Sequence, residues 1–276
     1  MTLLALAVYG RGRVEPGEPV IRADDEALLR GRAAFETLRV YDGRPFRLEA
    51  HLDRLAASAH AIGLEPVERR ELEDLVALVL PSAGAAGAVL RLVWTAGPAG
   101  GPPAALALLS EIPGWMGPTR ARGARAVSLL GVRAAVPWLL PGVKSTSYAV
   151  NMAAEAEAKR RGSDEAVFID AERVVLEGTV TNVWWRRGET LYTPALELGI
   201  LAGVTRAALL ELAASQGVAV EEGPFLLDEL YTADEAFTSS SVREVMPLVE
   251  IDGRPVGRGP VADQLQKALR EAATLT

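Results

Sequence analysis

Apolar and polar positions alternate through AAFETLRVYDGRPFRL, residues 33–48, and the alternation breaks at Asp42-Gly43. That pattern predicts two strands joined by a tight hairpin turn. The period then changes. Leu48, Leu52, Leu55, Ala59 and Ile62 recur at spacings of four and three, which predicts a helix with one apolar stripe. A second amphipathic helix is expected over roughly 68–80. AVLRLVW and AALALLS follow as strands on either side of the loop TAGPAGGPP.

The segment EIPGWMGPTRARG, with two prolines and three glycines, breaks the pattern and reads as an interdomain linker. The expected organisation is therefore an N-terminal α/β domain over 1–112, a linker over 113–123 and a C-terminal domain over 124–276. In the C-terminal part AVSLL reads as a strand and residues 147–161 as a helix. Strands are expected at EAVFID, RVVLEG, TNVWW and ETLYTP. VTRAALLELAASQG reads as a helix ending at a glycine, with strand VAVEEG after it. DEAFTSSSVREVMPL and a terminal helix complete the chain. Strands and helices mix without strict alternation, so the fold class is mixed α/β (α+β). No internal repeat or low-complexity stretch is present.

The chain has 276 residues, 49% of them apolar and 24% charged, enough for a substantial core in one or two domains. A net charge of -7 gives no electrostatic reason to expect nucleic acid or an anionic membrane as partner. There is no cysteine, which removes disulfides and thiolate chemistry and suits a reducing compartment. The opening MTLLALAVYG lacks the basic residues of a leader, and no apolar run reaches the length of a bilayer span. A cytoplasmic protein is expected.

Both histidines, His51 and His60, lie on the first expected helix, so a histidine metal cluster or a Ser-His-Asp triad lacks its parts. Neither GxGxxG nor GxxxxGK[ST] occurs. The chain nevertheless holds one unusual cation. Only three of its 29 basic side chains are lysines, and Lys144 is the sole charged residue between Ala134 and Ala154. A desolvated lysine can lose its proton and attack a carbonyl, whereas arginine cannot; the alternative is a lysine that snorkels out of a loop.

Three more segments extend that chemistry. In LEGTVTN, Glu177 ends a strand and can either face solvent or pair with a protonated heterocyclic nitrogen. In GILAGVTRAALLELA, Gly203 admits close backbone approach and the helix from Val204 presents free N–H groups to an anion. Arg54 in HLDRL and the hydroxyls of TSSSV can add to a phosphate site. An amine for a Schiff base, a carboxylate for a pyridinium and a phosphate cup are together what pyridoxal phosphate needs.

FETLRVYDGRPFRLEAHLDRL, KSTSY, LEGTVTNVWWRRGETLYTPALELGILAGVTR and ADEAFTSSSVREVMPL, in that order, strongly resemble the class IV (fold-type IV) pyridoxal-phosphate enzymes. That family contains branched-chain and D-amino-acid aminotransferases and aminodeoxychorismate lyase. The resemblance implies a smaller N-terminal α/β domain, a larger C-terminal domain, pyridoxal 5′-phosphate between them, and a homodimer acting on a small molecule. It makes Lys144 the covalent anchor and Glu177 the partner of the pyridine nitrogen. Arg54, the N–H groups of Val204 and Thr205, and Ser241 would bind phosphate, and Tyr148 would sit near the cofactor's phenolate oxygen. Arg39 and Arg91 would meet substrate carboxylates, Arg91 sharing a strand face with Val89 and Val93 that would point it inward; the alternative is that each arginine sits on a solvated sheet face. Local wording is most like aminodeoxychorismate lyase, which yields 4-aminobenzoate and pyruvate. The alternative is a transaminase of D-amino acids, branched-chain amino acids or R-amines.

Overall fold

The computed structural model describes residues 2–131 and 136–275. The chain divides into two compact units. Met1–Pro113, Val143–Tyr148 and Ala273–Thr276 form the first, and Gly114–Gly142 with Ala149–Ala272 form the second.

The first unit is built from β1 (Leu3–Val8), β2 (Gly12–Val14), α1 (Glu26–Arg30), β3 (Ala33–Tyr41), β4 (Arg44–Pro45), α2 (Leu48–Ala61), α3 (Arg69–Val79), β5 (Ala88–Thr95) and β6 (Ala104–Ser110). Its strands make one antiparallel sheet in the order β2-β1-β6-β5-β3-β4. The hairpin expected at Asp42-Gly43 is present: both residues have positive φ, 46° and 77°, as a two-residue turn of matching twist requires. Along β3 the side chains alternate between sheet faces. Ala34, Leu38 and Val40 join a core with Leu52 and Leu55 of α2 and Leu72, Leu75, Val76 and Val79 of α3. Phe35, Thr37, Arg39 and Tyr41 take the other face. Glu36 falls in the core row, where a lone carboxylate would be costly.

The second unit holds α4 (Met116–Arg122), β7 (Ala124–Leu130), α5 (Ala149–Arg160), β8 (Glu165–Ile169), β9 (Val175–Gly178), β10 (Asn182–Arg187), β11 (Thr190–Pro194), α6 (Val204–Ser215), β12 (Ala219–Gly223), α7 (Leu227–Tyr231), β13 (Glu235–Ser240), β14 (Glu244–Ile251), β15 (Arg254–Pro255) and α8 (Pro260–Leu275). Eight strands run in the order β12-β11-β10-β13-β14-β7-β8-β9, and β15 pairs with β14. The sheet is mixed: β11–β12, β14–β7 and β7–β8 are parallel, and the other pairs are antiparallel. Trp184 and Trp185 point to opposite faces of β10 and both are fully buried. Trp184 stacks on Phe237, and Trp185 packs against Tyr192 and Phe225. A strand covered on both faces reads as a continuous apolar run, as Val183-Trp184-Trp185 does.

Three features differ from the pattern-based expectation. The stretch read as a linker contains α4, and from Gly114 onward it groups with the second unit. The short helices α1 and α7, five residues each, had no visible stripe because fewer than two turns cannot show one. The strands β1 and β2 open the chain in a segment to which no element had been assigned. Among the described residues no helix is long and apolar enough to cross a membrane.

Candidate functional site

Lys144 belongs to the first unit although it follows Pro113 by thirty-one positions. Residues 143–148 run beside β3, joined to it by an isolated antiparallel bridge between Ser145 and Ala34. The Phe35 N–H donates to the Lys144 carbonyl at 3.2 Å, and the Thr146 N–H donates to the Ala33 carbonyl at 2.9 Å. The side chain of Lys144 is half-buried, and its Nζ lies 4.2 Å from the centroid of the Phe35 ring. Tyr148 meets the same ring edge-on at 5.4 Å, its own centroid 6.0 Å from the lysine nitrogen. The amine therefore sits against aromatic faces rather than in open water.

Arg91 also reaches Phe35, its guanidinium carbon 5.5 Å from the ring centroid, and its Nε donates to Thr37 Oγ1 at 3.3 Å. It is exposed in the single chain, so the inward position considered from its strand face is not found. Arg39 lies on the same face of β3, with its guanidinium 5.3 Å from the Tyr41 ring. Arg39 and Arg91 thus flank the row that carries Phe35.

Arg54 is engaged below the sheet. Its Nε and Nη2 donate to the two oxygens of Glu36, each at 2.7 Å. His51 Nδ1 lies 2.7 Å from Glu36 Oε2. Burial would push the Glu36 carboxyl up, but hydrogen bonds from Arg54 and His51 outweigh it and hold the group at about 2. His51 is driven the other way: burial lowers it, the positive charges of Arg54 and Lys144 add to that, and Glu36 only partly opposes. At neutral pH it is the uncharged ring whose Nδ1–H donates to a carboxylate. The buried carboxylate is paired, as the core position demands.

In the second unit Glu177 ends β9, buried, and accepts the Leu201 N–H on Oε2 at 3.0 Å. Asn182 Nδ2 donates to the Leu201 carbonyl at 3.0 Å, so the loop before α6 is held by both main-chain groups of one residue. Gly203 is the N-cap of α6 and provides no side-chain cap. The first N–H groups of the helix, at Val204 and Thr205, have no intrahelical acceptor. A Cβ at Gly203 would stand 2.1 Å from Asn182 Oδ1, which explains the glycine. Thr205 Oγ1 donates to Ser241 Oγ at 3.3 Å, bringing two hydroxyls to that helix start.

The threonines of LEGTVTN are committed elsewhere. Thr179 and Thr181 donate to buried Glu165, which also holds Arg243 at 2.6 Å. Their hydroxyls lock the turn after Glu177. Glu36, His51, Glu165 and Arg243 were missed as parts of the site's support. A usable signal existed for the first pair: His51, Arg54 and Ser58 recur at spacings of three and four, a polar stripe beside the apolar one.

Within the first unit the fold gathers Lys144, Tyr148 and Arg91 around Phe35. Arg54 stands on α2 with Glu36. Within the second it gathers Val204, Thr205 and Ser241 at one helix start, with Glu177 joined to the preceding loop. This donor set matches what pyridoxal phosphate offers: an aldehyde for an amine, a ring nitrogen for a carboxylate, and a phosphate for uncapped N–H groups and hydroxyls.

Comparison with known proteins agrees with that chemistry. The model of the amino-transferase class IV family matches residues 33–251. A putative branched-chain-amino-acid aminotransferase of Methanocaldococcus jannaschii is 33% identical, over 96% of this chain and 94% of that protein. A bifunctional aminodeoxychorismate lyase / D-amino acid transaminase of Mycobacterium tuberculosis is 34% identical, over 91% of this chain and 92% of its own length. Among solved structures, a hypothetical aminotransferase from M. tuberculosis in an alpha-ketoglutarate and PMP bound form superposes with a TM-score of 0.92. It is 32% identical and covers 98% of each chain.

Proposed function

The chain belongs to the class IV aminotransferase family, and on that premise we propose that it is a pyridoxal-phosphate-dependent aminodeoxychorismate lyase. The substrate, 4-amino-4-deoxychorismate, would leave as 4-aminobenzoate and pyruvate. Lys144 would hold the cofactor covalently, and its Nζ would carry the substrate proton. Glu177 would pair with the pyridine nitrogen, and Tyr148 would stand near the phenolate oxygen. Arg54, the Val204 and Thr205 N–H groups and the Ser241 hydroxyl hold the phosphate. The bound cofactor supplies an electron sink.

One observation carries the choice of a dianionic substrate. The Phe35 ring has the Lys144 amine 4.2 Å and the Arg91 guanidinium 5.5 Å from its centroid, and Arg39 stands on the same face of β3. Two guanidinium groups beside an amine suit a substrate with two carboxylates. A second reading is transamination with a dicarboxylic keto acid. The likeness to a structure with alpha-ketoglutarate and PMP bound supports it. We further propose a homodimer, in which a second copy covers Trp138 and Met152, 78% and 64% exposed in the single chain.

The test incubates purified protein with 4-amino-4-deoxychorismate and, separately, with D- and L-amino acids plus 2-oxoglutarate. Release of 4-aminobenzoate with equimolar pyruvate is the expected outcome. Amino transfer without 4-aminobenzoate replaces the lyase by the transaminase. Borohydride reduction followed by proteolysis is expected to leave the pyridoxyl group on the Lys144 peptide; a label on Lys159 or Lys267 overturns the anchor.

A further inference from the structure

Helix α2 presents two buried faces. Leu52, Leu55 and Ala59 enter the apolar core, while His51, Arg54 and Ser58 form a polar stripe beside it. His51 and Arg54 are accounted for by Glu36. Ser58 is 3% exposed, and its Oγ accepts the Lys144 main-chain N–H at 3.1 Å across 86 positions of sequence. The Lys144 carbonyl is meanwhile fixed by the Phe35 N–H. Both polar groups flanking the lysine Cα are thus tied to different elements, the N–H to α2 and the carbonyl to β3. We propose that Ser58 is a positioning residue, which sets where the Lys144 amine stands over Phe35 by holding the lysine's own backbone.

The physical need follows from Lys144 itself. Its segment makes only a short ladder, and a lysine side chain has several free rotations. Without a second tie the Cα would swing about the β3 contact, and an error of an ångström at the reacting nitrogen is costly. An alanine at 58 would leave the α2 packing intact and remove the tie alone. The inference rests on Lys144 being the anchor, but its first test does not.

In cofactor-stripped protein, Ser58→Ala is expected to speed hydrogen exchange of the Lys144 amide at least tenfold while Leu55 and Phe35 amides are unchanged. On mixing with pyridoxal phosphate, colour should develop at least tenfold more slowly than in wild type. Ser58→Thr should recover that rate and the same-shaped Ser58→Val should not, which separates the hydroxyl from the volume. Unchanged exchange at Lys144 overturns the proposal, and so does an equal rise across α2 and β3, since that marks general loosening. If wild-type protein attaches the cofactor at another lysine, the anchor assignment fails, while the exchange result still decides whether Ser58 grips residue 144.

Discussion

Glu36→Gln is expected to destabilise the protein by about 3 kcal/mol at pH 7. The carboxyl is fully buried in the row of β3 that otherwise carries Ala34, Leu38 and Val40. Its fall from the usual 4.5 to about 2 is a preference for the charged form worth about 3 kcal/mol, at roughly 1.4 kcal/mol per tenfold. An independent expectation agrees: removing one partner of a buried pair costs about 3–5 kcal/mol, because Arg54 keeps its charge. The pH dependence has a definite sign. The folded carboxyl lies below the unfolded one, so its contribution is complete above about pH 4.5 and disappears as pH falls towards 2. Urea unfolding of wild type and variant, followed by circular dichroism from pH 8 to pH 2, should show a gap that closes only in that acid window. The amide keeps only one acceptor oxygen for His51 and Arg54, so the comparison is repeated in a His51→Gln background, where the histidine contact no longer enters. A gap under about 1 kcal/mol at pH 7, or one that persists unchanged to pH 2, refutes the reasoning.

Glu177→Gln should keep the cofactor, since an amide oxygen can still accept the Leu201 N–H, yet turnover should fall at least tenfold, about 1.4 kcal/mol of transition-state stabilisation. Wild-type rates with cofactor bound would show that this carboxylate does not face the ring. Gly203→Ala meets no φ penalty but places a methyl 2.1 Å from Asn182 Oδ1, so the Asn182–Leu201 bond must yield. Faster cofactor loss on dialysis, followed by absorbance, is expected; unchanged retention would mean that the helix start is not the phosphate site.

Most of the framework was legible because long periodic segments carry their own address. The stripe of α2, the Asp42-Gly43 hairpin and the double-sided apolar run of β10 each follow from side-chain spacing. Arg91 was harder to place, because alternation names a face of the sheet without saying whether anything covers it. Glu36 was hidden by the opposite problem. A carboxylate in a strand of alternating pattern reads as a solvent position, and only the arrival of Arg54 and His51 from α2 makes burial tolerable. The tie from Ser58 to residue 144 could not be read from the chain at all, since nothing local marks a serine as the acceptor for an amide 86 positions away.

That separation has a consequence for how the molecule is made. The six strands of the first unit all lie at or before Ser110, so every strand of that sheet, with α2 and α3, is synthesised before residue 143. The lysine segment rejoins that unit only after Gly114–Gly142, which belongs to the second. Contacts of such long sequence range form late in folding. A chain arrested at Pro113 carries Glu36, His51, Arg54 and Ser58 but no lysine. Every residue that grips this segment, Ala33, Phe35 and Ser58, precedes it in the chain.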